Sequence, residues 1–165
     1  MIYTTVDSPI GELLLVGEDD TLHGLYMQDG RKPIRPRLTW QRDDRAFPYA
    51  RLQLREYFAG ERARFDIPVA LHGTDFQERV WRELQRIPYG ETISYGELAK
   101  RIGDPGAARA VGWANGTNRI AIVVPCHRVI GANGKLTGYA GGLDNKRLLL
   151  ELEAGRPPLA AGLAA

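Results

Sequence analysis

Cysteine is nearly absent: Cys126 is the only one in 165 residues, beside two methionines and three histidines. A disulfide framework and a thiolate-rich zinc or iron–sulfur centre are therefore excluded. The histidines are too scattered along the chain to predict a metal site. No apolar run approaches the ~18 residues that a membrane-spanning helix needs. The opening residues, Met1 to Asp7, lack the basic and apolar regions of a secretory signal, and a reducing cytoplasm is the expected location. Carboxylates are missing from one long stretch: between Pro105 and Leu143 there is no Asp or Glu, while Arg109, Arg119, Arg128 and Lys135 remain. An acid-free basic stretch suits a phosphate-backbone partner; partial burial would exclude acids equally well.

What is present is ordinary for a folded chain. With 44% hydrophobic and 25% charged residues, it can bury a core, and disorder is excluded as the whole answer. The net charge of +2 names no partner by itself. Ile2–Val6, Glu12–Val16 and Leu22–Met27 are short apolar runs separated by turn signals, which predicts an antiparallel meander. Residues 28–48 read as a long polar loop. Tyr49 to Phe58 reads as a helix closed by Gly60, and Phe65–Leu71 as a returning strand. His72-Gly73 marks a boundary between lobes.

Beyond it the pattern turns helical. Thr74 with Gln77 and Ser94 with Glu97 have the spacing of capping boxes. Phe76, Val80, Trp81, Leu84 and Ile87 follow the first at helical spacing. A short helix from Ser94, the turn Gly103-Asp104-Pro105-Gly106 and a helix over Ala107 to Asn115 have the form of a helix-turn-helix. Asp144 is expected to cap a last helix that runs through Glu153. The expected organisation is an α/β N-terminal lobe with a small antiparallel sheet (1–72), a mainly α-helical C-terminal lobe containing the helix-turn-helix (73–155) and a flexible tail (156–165).

A free thiol is only slightly ionised at neutral pH, so a nucleophilic Cys126 needs a base or a positive field. His127 and Arg128 adjoin it. Neighbours on a strand point to opposite faces, so the pair can cooperate only where the chain bends, as Pro125 and a new helical turn would make it, or through a bridging water. The residues alone also allow Cys126 as a small buried hydrophobe. Arg109 sits among Gly106, Ala107, Ala108, Ala110, Val111 and Gly112. A helix so slim could enter a minor groove ~6 Å wide or pack tightly inside the protein.

Pro125-Cys126-His127-Arg128-Val129-Ile130-Gly131 does not stand alone. With Phe76-Gln77-Glu78-Arg79-Val80-Trp81, Ile87-Pro88-Tyr89-Gly90-Glu91-Thr92, Ser94-Tyr95-Gly96-Glu97-Leu98-Ala99, Ala108-Arg109-Ala110-Val111-Gly112, Asn118, Gly138-Tyr139-Ala140-Gly141-Gly142 and Lys146, it resembles the O6-alkylguanine-DNA alkyltransferases (methylated-DNA–protein-cysteine methyltransferases) in order and spacing. The likeness spans about residues 73–155.

That resemblance implies a DNA-repair protein that binds duplex DNA through the minor groove and rotates a damaged guanine into a pocket. Cys126 would take the O6-alkyl group irreversibly, once per molecule and without a cofactor; O4-alkylthymine is a second candidate substrate. His127 would deprotonate Cys126 through a water, Glu153 would orient His127, and Asn118 would hold the turn. Tyr95 would donate towards the departing guanine. Arg109 would replace the flipped base, with Ala107, Ala108, Ala110, Gly112, Asn115 and Arg128 beside it on the DNA. Val129, Tyr139, Ala140 and Lys146 would form the base pocket, with the Cys126 and Val129 carbonyls reading the guanine amino group and the Ala140 N–H reading O6. A monomer is expected, with cooperative clustering on DNA as an option. The acceptor cysteine separates the chain from non-catalytic alkyltransferase-like sensors. The nearly featureless surface of Ala107–Asn115 argues against a regulator that reads sequence in the major groove.

Overall fold

The computed structural model describes residues 1–30 and 33–155; the expected tail, 156–165, lies outside the described residues. Strands β1 (Ile2–Val6), β2 (Leu13–Glu18) and β3 (Thr21–Met27) form the antiparallel meander. β2 is buried on both faces from Leu13 to Gly17, which is why it reads as a continuous apolar run and not as an alternation. A two-residue strand, β4 (Gln41–Arg42), joins β1 in parallel, so the sheet is mixed with order β3-β2-β1-β4. Its two exposed polar residues carry no apolar pattern, and the sequence reads them as loop. The strand expected at Phe65–Leu71 shrinks to a single bridge between Leu22 and Val69. Pro68 has no N–H to donate, so a ladder cannot continue through it.

Helix α1 (Pro48–Phe58) opens on a proline, whose fixed φ suits the first helical position. It buries Ala50, Leu54, Tyr57 and Phe58 at i, i+4, i+7 and i+8. Helix α2 (Asp75–Leu84) begins with the expected capping box, both reciprocal bonds of Thr74 and Gln77 being formed. After strand β5 (Ile93–Ser94), helix α3 (Tyr95–Arg101) keeps half of its box: Ser94 accepts from the Glu97 N–H, while the Glu97 carboxylate turns to Arg101 at 3.2 Å. Gly103, at φ +84, ends α3, with Gly103 N–H bonded to the Lys100 carbonyl and Asp104 N–H to that of Ala99. That pair of bonds is a Schellman motif, and it aims the chain into α4 (Ala108–Gly116). The Trp81 indole N–H donates to the Ala114 carbonyl at 2.8 Å and locks α2 to α4.

A short 3₁₀ turn over Cys126–Arg128 leads into β6 (Val129–Ile130), which pairs in parallel with β5. The last helix, α5 (Leu143–Glu153), is capped by Gly142 at φ +91 and not by Asp144. Asp144 sits inside the first turn, where its charge favours the helix N-terminus, and it pairs with Arg147 at 3.1 Å. One apolar core runs through both lobes. Leu25 of β3 exchanges backbone bonds with Arg119 and Ala121, so the edge of the N-terminal sheet holds the segment that precedes Cys126. His23 of β3 and His72, at the end of the N-terminal lobe, meet at 3.0 Å. No helix among the described residues is long and apolar enough to cross a membrane.

Candidate active site

Two three-residue turns in close succession shape the approach to Cys126. In the first, Val123 N–H donates to the Ala121 carbonyl at 2.8 Å around Ile122, whose φ is +70. A β-branched residue there is strained by about 1–3 kcal/mol. The Asn118 amide spans the strained loop, donating to the Val124 carbonyl at 2.8 Å and accepting from the Ile120 N–H at 3.0 Å. In the second turn, Cys126 N–H bonds to the Val124 carbonyl around Pro125 at φ −81, ψ 65, the relaxed form of such a turn. The chain therefore bends at Cys126, as cooperation with His127 requires. Three residues of 3₁₀ helix give the sulfur little help from a helix dipole.

Cys126 is 7% exposed. Burial pushes its thiol pKa up, opposed by the Asn118 amide and the Lys146 charge. On balance the surroundings favour the protonated thiol. His127 is fully buried, and burial lowers its pKa. Its Nε2 lies 2.7 Å from Glu153 Oε2. Burial alone would raise the Glu153 carboxyl, but His127 and Arg128 outweigh it and hold the pKa at about 2. An ionised carboxylate only accepts, so Nε2 carries the proton and Nδ1 is left as a base. Nδ1 is buried with no protein partner among the described residues.

Glu153 is also the meeting point of the lobes. Tyr57 of α1 donates to its Oε2 at 2.6 Å, and Arg128 grips it with Nε at 2.8 Å and Nη2 at 3.1 Å. Arg128 is 6% exposed and also donates to the Ile87 carbonyl. This corrects its expected place on DNA: a guanidinium fully committed inside the protein reaches no phosphate. The sequence signal missed Tyr57, because a tyrosine on an apolar helical stripe reads as core.

Cys126 lines a cavity of about 50 Å³, together with Met27, Asn115, Asn118, Tyr139 and Ala140. A cavity of ~150 Å³ is what admits benzene, so this one as it stands is too small for an aromatic ring. The glycine-rich segment forms one wall: a Cβ on Gly141 would lie 2.3 Å from Met27 Sδ and 2.7 Å from the Tyr139 ring, so only glycine fits that approach. The Tyr139 hydroxyl and Asn115 Oδ1 are buried without partners among the described residues. Orphaned polar atoms of this kind cost about 1–3 kcal/mol each. A larger cleft of about 700 Å³ lies elsewhere, between Phe65 and Tyr89; it lacks the nucleophile.

Several pocket expectations need correction. Val129 and Lys146 are fully buried and lie outside this lining. Lys146 Nζ instead ties the Val129 carbonyl (2.6 Å) to that of Thr137 (2.9 Å), and burial lowers its pKa to about 8. The Cys126 carbonyl already accepts from Asn115 Nδ2 at 3.3 Å and from the Val129 N–H, which uses both lone pairs. Asn115 is 3% exposed on the inner side of α4, so it cannot face DNA. Tyr95 is half-buried beside Gly112, its hydroxyl 3.1 Å from Thr137 Oγ1.

On the outer side of α4, Arg109 and Ala110 are exposed, with Ala107, Ala108 and Gly112 half-buried. Trp113, 62% exposed, shares the face of Arg109 one turn on. The sequence reading passed over it, although it is the one bulky aromatic in a helix of small residues. Among the described residues no group of three or more His, Cys, Asp or Glu could hold a metal ion.

Residues 1–71 match the model of the 6-O-methylguanine DNA methyltransferase ribonuclease-like domain, and residues 75–155 match that of its DNA binding domain. The chain is 62% identical over 157 residues to a methylated-DNA–protein-cysteine methyltransferase of Mycolicibacterium paratuberculosis, covering 94% of each. It is 54% identical over 153 residues to that of Methanosarcina acetivorans, covering 93% of this chain and 98% of the other. The crystal structure of Mycobacterium tuberculosis OGT in complex with DNA is similar with a TM-score of 0.91 and 56% identity, over 100% of both chains.

Proposed function

As a member of the 6-O-methylguanine DNA methyltransferase family, the chain is a DNA-repair methyltransferase, and we propose that it moves an alkyl group from O6 of a flipped guanine to Cys126. The observation that carries this reading is the buried His127–Glu153 pair, whose protonated nitrogen is pinned by an ionised carboxylate, next in the chain to a thiol at a cavity. His127 Nδ1 is the free base of that pair, and a bridging water would carry the thiol proton to it. Sulfur then attacks the alkyl carbon in line as the carbon–O6 bond breaks. The leaving guanine takes up negative charge, which a donor such as the Tyr95 hydroxyl and the Ala140 N–H would stabilise. The product is a thioether. Among the described residues Cys126 is the one thiol on the cavity wall, and on this reading the reaction stops after one turnover and uses no cofactor.

The DNA is met by α4. Its outer face is slim except at Arg109 and Trp113, which suits a narrow groove, and the absence of carboxylates from 105–143 removes repulsion from phosphates. Asn118 serves as the clamp of the strained loop, and Lys146 as a buried charge that braces Thr137 and favours the thiolate. The division at 72/73, a cytoplasmic location and a monomeric state belong to the same reading.

Base flipping leaves a gap in the stack that Arg109 would fill. Flipping costs a few kcal/mol, so Arg109→Ala should slow repair of an O6-methylguanine duplex roughly tenfold or more relative to its effect on free O6-benzylguanine. Rapid-quench transfer assays on the two substrates measure this. Equal losses on both would remove Arg109 from that role.

A further inference from the structure

Asn115 Oδ1 is a hydrogen-bond acceptor buried at the cavity that holds Cys126, with no partner among the described residues. Its orientation is fixed. The Asn115 amide nitrogen donates to the Cys126 carbonyl at 3.3 Å; rotating the amide would set oxygen against oxygen, because a carbonyl offers no donor. That same carbonyl also accepts the Val129 N–H, and the Val129 carbonyl takes the Lys146 ammonium at 2.6 Å. Among the described residues two polar atoms at this cavity are left without partners, the Tyr139 hydroxyl and the Asn115 oxygen; the hydroxyl can turn to donate, whereas the amide oxygen can only accept.

A buried acceptor of this kind is matched by a donor on whatever enters the cavity. O6-alkylguanine has few donors to give. Alkylation at O6 removes the N1 proton, so N1, N3 and N7 are all acceptors, and the exocyclic 2-amino group carries the only N–H bonds of the base. Thymine alkylated at O4 has likewise lost its N3 proton and has no amino group. We propose that Asn115 Oδ1 accepts a hydrogen bond from the 2-amino group of the flipped base, which makes Asn115 a specificity-determining residue for guanine. This rests on the reading that the damaged base is seated beside Cys126. It assigns to a side chain of α4 the recognition that the resemblance gave to backbone carbonyls. It also couples base recognition to the nucleophile, because the amide that reads the amino group holds the Cys126 carbonyl with its other end.

The test compares duplexes carrying O6-methylguanine and O6-methylhypoxanthine, which differ only in the 2-amino group. Transfer to Cys126 is timed for the wild-type protein and for Asn115→Leu, which keeps similar bulk without the amide. The wild type is expected to prefer methylguanine by about tenfold or more, the value of one buried hydrogen bond with its partner left unpaired otherwise. In Asn115→Leu that preference should collapse towards unity, chiefly through slower repair of methylguanine. A variant slowed equally on both duplexes, with the preference kept, would overturn the proposal and leave Asn115 as a brace for the Cys126 backbone. Equal wild-type rates on the two duplexes would overturn it without any variant. Absence of transfer from both duplexes would instead overturn the reading of the site on which it rests.

Discussion

Cys126→Ser should lose alkyl transfer altogether while keeping its fold and its affinity for duplex DNA. A serine hydroxyl is smaller than the thiol and far less nucleophilic, and the base available to it, His127 Nδ1, is a neutral imidazole whose proton affinity burial has lowered. The apolar pocket loses little packing, because Cys126 lies at the cavity and not in the centre of the core. A gel-shift titration and a thermal melt check the retained properties, and label transfer from a methylated duplex checks the lost one. Residual transfer at more than a small fraction of the wild-type rate would point to a different acceptor atom.

Glu153→Ala should be the most damaging substitution for stability. The carboxylate accepts from Tyr57, His127 and Arg128 at once, and its removal leaves the Arg128 guanidinium buried and unpaired. Breaking a buried pair in this way costs about 3–5 kcal/mol, a large share of the ~5–15 kcal/mol that holds a domain folded. A fall in melting temperature of roughly 10 °C is expected. The pH dependence follows from the sign of the shift. The folded-state pKa of Glu153, about 2, lies below its ordinary 4.5, so its contribution is present above pH 4.5 and drains away as the pH falls from 4.5 towards 2. His127 adds to the acid loss: held neutral by burial, it resists the proton that the unfolded chain takes up below pH 6.5. Glu153→Gln should flatten the part of the stability curve between pH 4.5 and 2. A wild-type curve already flat over that range would contradict the network.

The elements that local chemistry dictates were legible in the sequence. The first three strands alternate with strong turn signals, and Thr74 with Gln77 declares the start of α2 by its own two hydrogen bonds. Cys126, His127, Glu153 and Asn118 were named from the family resemblance; the structure bonds His127 to Glu153 and Asn118 to the Val124 carbonyl, and puts Cys126 and Asn118, but not the other two, on the cavity wall. What was missed depends on distant partners. Tyr57 meets Glu153 across 96 residues, and no local pattern marks a tyrosine on an apolar stripe as a donor to a carboxylate. Arg128 reads as a surface charge beside a nucleophile until its own partner, 25 residues away, draws it inward. Asn115 follows Gly112 and Trp113 on a helix that faces outward, and only the rotation of α4 against Trp81 and Cys126 turns it to the interior. Asp144 lost the cap to Gly142 because the chain enters α5 at a positive φ that glycine alone adopts freely.

Intact-protein and peptide mass spectrometry after incubation with an O6-methylguanine duplex bears most directly on the central claim. The account predicts a gain of one methyl group per chain, confined to the peptide that contains Cys126, with no second gain when the duplex is in excess. An unchanged mass, or a methyl group on any residue other than Cys126, would contradict it.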